Sequence, residues 1–300
     1  MGDVGGRGGV STTSSSGDRV GGGVGATART RFLLIAACGL VLLGATYAVA
    51  VRTGAGQILD DWAFEGRKAI NYDVRRTVTY LLSVAAVVIV AVSVAVECVV
   101  AVRRGRWPLA IGAVVVVGGA VLCAGWGKAA LERPHLTDTL ATALNTYPSG
   151  HMAAAVAAAL WALVVSPPAR RALVLQLAGP AATVVGIALI GSSSHRPSDV
   201  VGATALAVVW CGVVGAVLVR PEDAGGSGFG PLGLSGRRVA LVTIVLVAAV
   251  TISLRLPANP QHRLWAYLFA VLAVAALVFV SLWALGWALA GGPSREEVGS

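Results

Sequence analysis

Apolar residues in this chain come in blocks of about twenty that almost no charge interrupts. Residues 77–102 contain one ionisable acid, Glu97, and 107–127, 172–194, 200–219 and 264–290 contain no charged residue at all. A hydrocarbon layer roughly 30 Å thick takes about 20 apolar residues as a helix. Inside that layer only a helix or a closed barrel satisfies its own backbone. The blocks are uniformly apolar, with neither the alternation of a barrel strand nor the one-sided stripe of a soluble helix. The sequence therefore predicts an all-α integral membrane protein with spans near 32–51, 77–102, 107–127, 149–166, 172–194, 200–219, 239–254 and 264–290.

Composition agrees: 56% of the 300 residues are hydrophobic and 12% are charged. The net charge of +9 is spread over loops, without a dense basic stripe or interleaved aromatics, which excludes a nucleic-acid partner and fits arginines that orient spans. Cys38, Cys98, Cys123 and Cys211 all fall inside predicted spans as small apolar fillers and carry no information on redox compartment.

Five regions follow. Residues 1–30 form a Gly/Ser/Thr-rich tail with too little apolar surface to offset ordering, read as disordered. Residues 31–219 form the transmembrane core, 220–238 a linker, 239–290 a helical hairpin and 291–300 a second tail. The apolar run after Arg31 is longer than a signal-peptide h-region, so the first helix is expected to be retained. An inside amino terminus puts "RRGR" (103–106), "PPARR" (167–171) and Arg220 in the cytoplasm, a modest lean of basic residues in the expected direction.

Three polar clusters interrupt this background: "GKAALERPHL" (127–136), "YPSGH" (147–151) and "SSSHRPSDVVG" (193–202). The first two share one loop, and two helices separate that loop from the third. An even number of crossings returns the chain to the same face, so the clusters meet whichever way the protein inserts. Lys128 and Arg133 bring cations suited to a phosphate. Ser149 and Gly150 sit at a helix start, where unpaired N–H groups and the positive dipole end receive anions. His195 and Asp199 are four apart with Pro197 between them, a spacing that puts imidazole and carboxylate on one face of a helix's first turn. His135 and His262 have no evident partner and read as loop histidines. Glu97 reads as a snorkelling or paired glutamate near Arg103 and Arg104, on the wrong side for the cluster.

The order Lys…Arg-Pro, Pro-Ser-Gly-His, His-x3-Asp resembles the type 2 phosphatidic acid phosphatase (PAP2) superfamily, which includes the vanadium haloperoxidases; the likeness covers roughly residues 77–219. It implies a six-helix PAP2-like transmembrane core, here with two extra C-terminal helices. It also implies a phosphatase acting without metal or cofactor on a lipid phosphate or a polyprenyl phosphate or diphosphate. By that resemblance His195 attacks phosphorus and Asp199 orients it, while His151 protonates the leaving oxygen and then activates water. Lys128, Arg133, Ser149 and the Gly150 backbone hold the phosphoryl oxygens. Two departures stand out. Four residues rather than six separate Lys128 from Arg133-Pro134, leaving His135-Leu136 at the usual Arg-Pro place. Ala188 and Leu189 stand where the family has Ser-Arg, and Arg196 is the candidate substitute. The expected setting is a multi-pass protein of the cell membrane with its site on the extracytoplasmic side. The alternatives are a lipid phosphotransferase and a catalytically weak phospholipid-binding homologue; a haloperoxidase is disfavoured because those relatives are soluble. Oligomeric state is not legible.

Overall fold

The computed structural model of the protein describes residues 2, 18–69, 71–137, 145–192, 194–220, 222–223 and 260–290. Among them there are helices and no strands. Helix α1 is Asp18–Thr46, continued by a π-helical turn Tyr47–Val51; α2 is Gly54–Gly66, followed by a 3₁₀ turn Arg67–Ala69. Then come α3 (Tyr72–Arg103), α4 (Trp107–Ala130), α5 (Gly150–Val165), α6 (Pro168–Gly191), α7 (Pro197–Leu218) and α8 (Pro260–Leu289). The predicted span at 239–254, most of the 220–238 linker and the 291–300 tail lie outside the described residues, as do residues 3–17 of the amino-terminal tail.

Among the described residues six helices are long and apolar enough to cross a membrane: α1 from Ala28 onward with its π turn, α3, α4, α6, α7, and α8 from Gln261. The protein is thus a multi-pass membrane protein by its helices. The predicted 149–166 span differs from the others. As α5 it has 16 residues and forms the centre of the bundle, packed by α3, α4, α6, α7 and α8. A helix that is apolar all round can face lipid or other helices, and the Ala-rich α5 is almost wholly enclosed by other helices, with only Ala154 and Ala162 half-buried between Met152 and Val165. The sixth long helix is instead α8, from the C-terminal region. By contrast α3 turns Val84, Val87, Val88, Val92, Val96 and Val99 outward, a face suited to lipid.

Close approach of small residues sets the packing. On α7, Gly212 lies under Ala36 and Gly215 under the Phe32 ring of α1, each so close that a Cβ would stand within 2.8 Å of its neighbour. These pairs run antiparallel, so α7 ends where α1 enters the bundle. Arg31, near the start of the apolar part of α1, donates to the Ala290 carbonyl at 2.7 Å beyond the end of α8, on that same face. The opposite face gathers the end of α1, all of α2, the α4–α5 and α6–α7 loops, and the start of α8.

The stretch 52–76, read from sequence as a loop, is largely helical. Thr53 caps α2 by accepting from the Gly56 N–H at 3.0 Å, and Asn71 caps α3 by accepting from Asp73 at 2.8 Å. A Cβ at Gly56 would stand 2.0 Å from the Val49 carbonyl oxygen, so only glycine lets α2 fold back on the π turn. This turn-back lays α2 across the polar end of the bundle.

Candidate active site

His195 and Asp199 open α7, and the local sequence explains why. Pro197 occupies the first helical turn and Asp199 sits three residues past the cap, where its carboxylate accepts the Arg196 N–H at 2.9 Å. The same oxygen lies 3.4 Å from His195 Nδ1 and also accepts the Thr146 hydroxyl. Asp199 is fully buried. A carboxylate on Nδ1 favours the tautomer that leaves the lone pair on Nε2, so Nε2 is the ring atom available for chemistry.

The Pro-Ser-Gly-His stretch is fixed against this pair. Ser149 donates its backbone N–H to the Asp199 carbonyl at 3.0 Å and caps α5 by accepting from Met152 at 3.4 Å. Tyr147 is buried with its ring over Gly202, where a Cβ would stand 2.3 Å from Cε2, and it donates to the Leu43 carbonyl at 2.8 Å. Pro148 rests on Gly127, one residue before Lys128. Thus the first cluster is joined to the second, and the second to the third, by direct contact. At Gly150 the situation reverses: a Cβ there would meet nothing within 4 Å, so space stands open in front of the α5 amino terminus. His151 is exposed beside that space, within electrostatic reach of His195 and Lys128.

Lys128, Gly150 and His151 close one end of an apolar groove of about 700 Å³ whose walls are α3, α4 and α5, from Ala86 to Val94 and from Val114 to Gly125. The fourteen residue-to-residue steps from Val114 to Lys128 correspond to roughly 21 Å at 1.5 Å per step. The groove therefore runs from the polar cluster deep along the bundle.

The arginines are held by a helix that sequence reading missed. Arg133 donates to Asp60 at 2.7 Å and to Asp199 at 3.4 Å, and Arg196 Nε donates to Asp61 at 3.0 Å with its guanidinium carbon 5.6 Å from the Phe64 ring centre. Asp60 further accepts the Ser198 N–H at 2.9 Å and hydroxyl at 2.6 Å. Burial holds the Asp60 carboxyl above the usual carboxylate range; Arg133 opposes this, Asp199 adds to it, and the Ser198 bonds oppose it. Gln57 donates to the Pro134 carbonyl at 2.6 Å and accepts from Leu136 N at 3.2 Å, so α2 also pins the loop around His135. The signal was present in "GQILDDWAFEG" (56–66): apolar pairs at 58–59 and 62–63 make a short amphipathic helix, and Asp60-Asp61 lie between them.

Other sequence candidates stand apart. His135 is exposed in the loop and His262 lies in the first turn of α8. Leu189, at the position where the resembled family has arginine, is buried in the core, so α6 brings no cation there. Glu97 is buried in α3, and neither carboxyl oxygen has a hydrogen-bond partner among the described residues, against the expectation of a paired or snorkelling side chain. Among the described residues no group of three or more His, Cys, Asp or Glu side chains is placed to hold a metal ion.

Comparison of the chain with protein-family models, with curated proteins and with solved structures gives no match.

Proposed function

We propose that this protein is an integral-membrane phosphatase that hydrolyses a lipid-linked phosphate or diphosphate through a phosphohistidine, in the manner of the family its motifs resemble. The observation that carries the reading is a buried, Asp-oriented histidine within electrostatic reach of His151, which together with Lys128 and the open start of α5 closes the end of an apolar groove. A lipid phosphate has that shape: a hydrocarbon for the groove and an anion for its polar end.

In this mechanism Nε2 of His195 attacks phosphorus and the bond to the leaving oxygen breaks. His151 gives that oxygen its proton, and the lipid alcohol departs. His151 then takes a proton from water as the water attacks the phosphoramidate, releasing phosphate and restoring His195. Asp199 stabilises the imidazolium formed along the way. Lys128, the Ser149 hydroxyl and the Gly150 backbone N–H receive the phosphoryl oxygens, while Arg133 and Arg196, steadied by Asp60 and Asp61, supply fixed positive charge beside them. The modest excess of basic residues in the loops of the far face supports an extracytoplasmic site.

A second reading rests on the same arginines. Because carboxylates already hold both, a homologue that binds a phospholipid head group with little turnover also fits. Purified protein offered a panel of lipid phosphates with EDTA present separates the two. Phosphate release that disappears in His195→Ala and in His151→Ala supports the enzyme; no release from any substrate, or release surviving both changes, overturns it.

A further inference from the structure

A second apolar cavity, of about 330 Å³, lies between a different set of helices: the end of α1, α2, α7 and α8. Its size falls in the lower part of the range for small-molecule pockets, about 300–1,000 Å³. Leu59, Val201, Phe269, Ala270 and Ala273 are among its apolar walls, and its polar groups are Thr46, Thr53, Ser198 and Asp60.

The hydrogen-bond inventory of those polar groups defines what the cavity can accept. Each hydroxyl has one donor, and all three are used within the protein: Thr46 on the Leu42 carbonyl at 2.7 Å, Thr53 on the Val49 carbonyl at 2.6 Å and Ser198 on Asp60 at 2.6 Å. Asp60 differs. A carboxylate has about four acceptor directions, and here Ser198 N–H, the Ser198 hydroxyl and Arg133 use three. The side chains of the cavity thus offer an acceptor and no donor. Charge narrows the choice further. An anion would face the Asp60 carboxylate, and a cation would face a carboxylate already balanced by Arg133 at 2.7 Å. A neutral O–H suits both.

The geometry points to a binding site in this cavity for a neutral long-chain alcohol, its hydroxyl donated to Asp60 and its hydrocarbon lying against Leu59, Val201, Phe269 and Ala270. Dephosphorylation of a lipid phosphate releases an alcohol of this class; that connection rests on the phosphatase reading, whereas the site itself does not. It also gives α8, which lies outside the resembled core, a part in ligand binding.

The test uses the full-length protein in nanodiscs and a photoactivatable hexadecanol bearing a diazirine on its chain, with cross-links mapped by mass spectrometry. Saturable labelling within 46–63 or 266–273 is expected, competed by hexadecanol and weakly or not at all by hexadecylamine or hexadecyl phosphate. Ala270→Phe and Ala273→Phe each fill the cavity from α8 and should lower labelling by roughly tenfold or more while leaving the melting temperature and the phosphate release from a short-chain soluble substrate close to wild type. Non-saturable labelling, equal competition by all three competitors, or undiminished labelling in both variants overturns the site. Saturable labelling in a protein that releases no phosphate from any substrate would defeat the phosphatase reading and leave the alcohol site standing.

Discussion

At the face where α4 begins, Arg106 bonds to Asp223 and lies 3.1 Å from Glu222, and Arg171 donates to the Asp223 carbonyl. At the face where α4 ends, Arg133 bonds to Asp60 and Asp199. Both clusters bury guanidinium against carboxylate, and both join segments distant in sequence. The difference lies in what surrounds them. Around Asp223 the partners are two arginines and the Arg220 backbone N–H, and the result is a clamp that ties the turn after α7 to α4 and α6. Around Asp199 there are two histidines, an uncovered helix start and a groove. A buried ion cluster by itself therefore does not mark a site; proton-transferring groups beside open space do.

The comparison breaks first at the histidines. With His195 as the proposed nucleophile, His195→Ala should lower phosphate release by about 10⁴-fold or more, while Arg171→Ala should leave turnover per folded molecule within about twofold. Release assays on matched amounts of folded protein decide this, and an equal loss in both variants would erase the distinction between the faces. His151→Ala should cost about 10²–10⁴-fold, with one limb of the pH–rate profile flattened. A parallel drop at every pH would mean that His151 only packs.

Stability should show the reverse pattern. Removing one partner of a buried ion cluster typically costs about 3–5 kcal/mol. Asp223→Ala should therefore lower the unfolding midpoint in detergent more than His151→Ala does, since His151 is exposed.

Asp60 offers a subtler test. Its folded-state pKa is raised above the ordinary 3.8, so folding holds its proton more tightly than the unfolded chain does. That contribution to stability is complete below the ordinary value and is lost as pH rises through the folded value. Melting temperature measured across this acidic window should fall less steeply with rising pH in Asp60→Asn than in the wild type; an unchanged slope would show that folding leaves the Asp60 pKa at its ordinary value. Least of all should change in Glu97→Gln. Neither oxygen has a hydrogen-bond partner among the described residues, so losing the ionisable group should leave turnover unaltered and shift stability by less than about 1 kcal/mol. A large loss would reveal a partner for Glu97.

The polar motifs were legible in the sequence because each is local. Ser149 as a cap, Pro197 at a first turn and Asp199 four residues after His195 are properties of a dozen residues, and the structure has all three arrangements. Parity of crossings placed the clusters on one face without any knowledge of packing. The 52–76 stretch was misread because length alone separated spans from loops. A thirteen-residue helix is too short to cross a bilayer, and Asp60 and Asp61 gain meaning only once α2 lies over Arg133 and Arg196. Likewise α5 has the composition of a span, yet the residues around it make it the centre of the bundle.

What the sequence determined by itself was solvent and local chemistry: uninterrupted apolar blocks require a membrane, and short polar motifs set helix starts and the histidine–aspartate pairing. Tertiary structure alone decided the electrostatics of the site and the two apolar spaces beside it. Those depend on which carboxylate reaches which guanidinium across more than sixty residues of chain, and on which small side chains leave room between helices. Ion pairing and packing are set by distances in space, and hydropathy along the chain does not encode them.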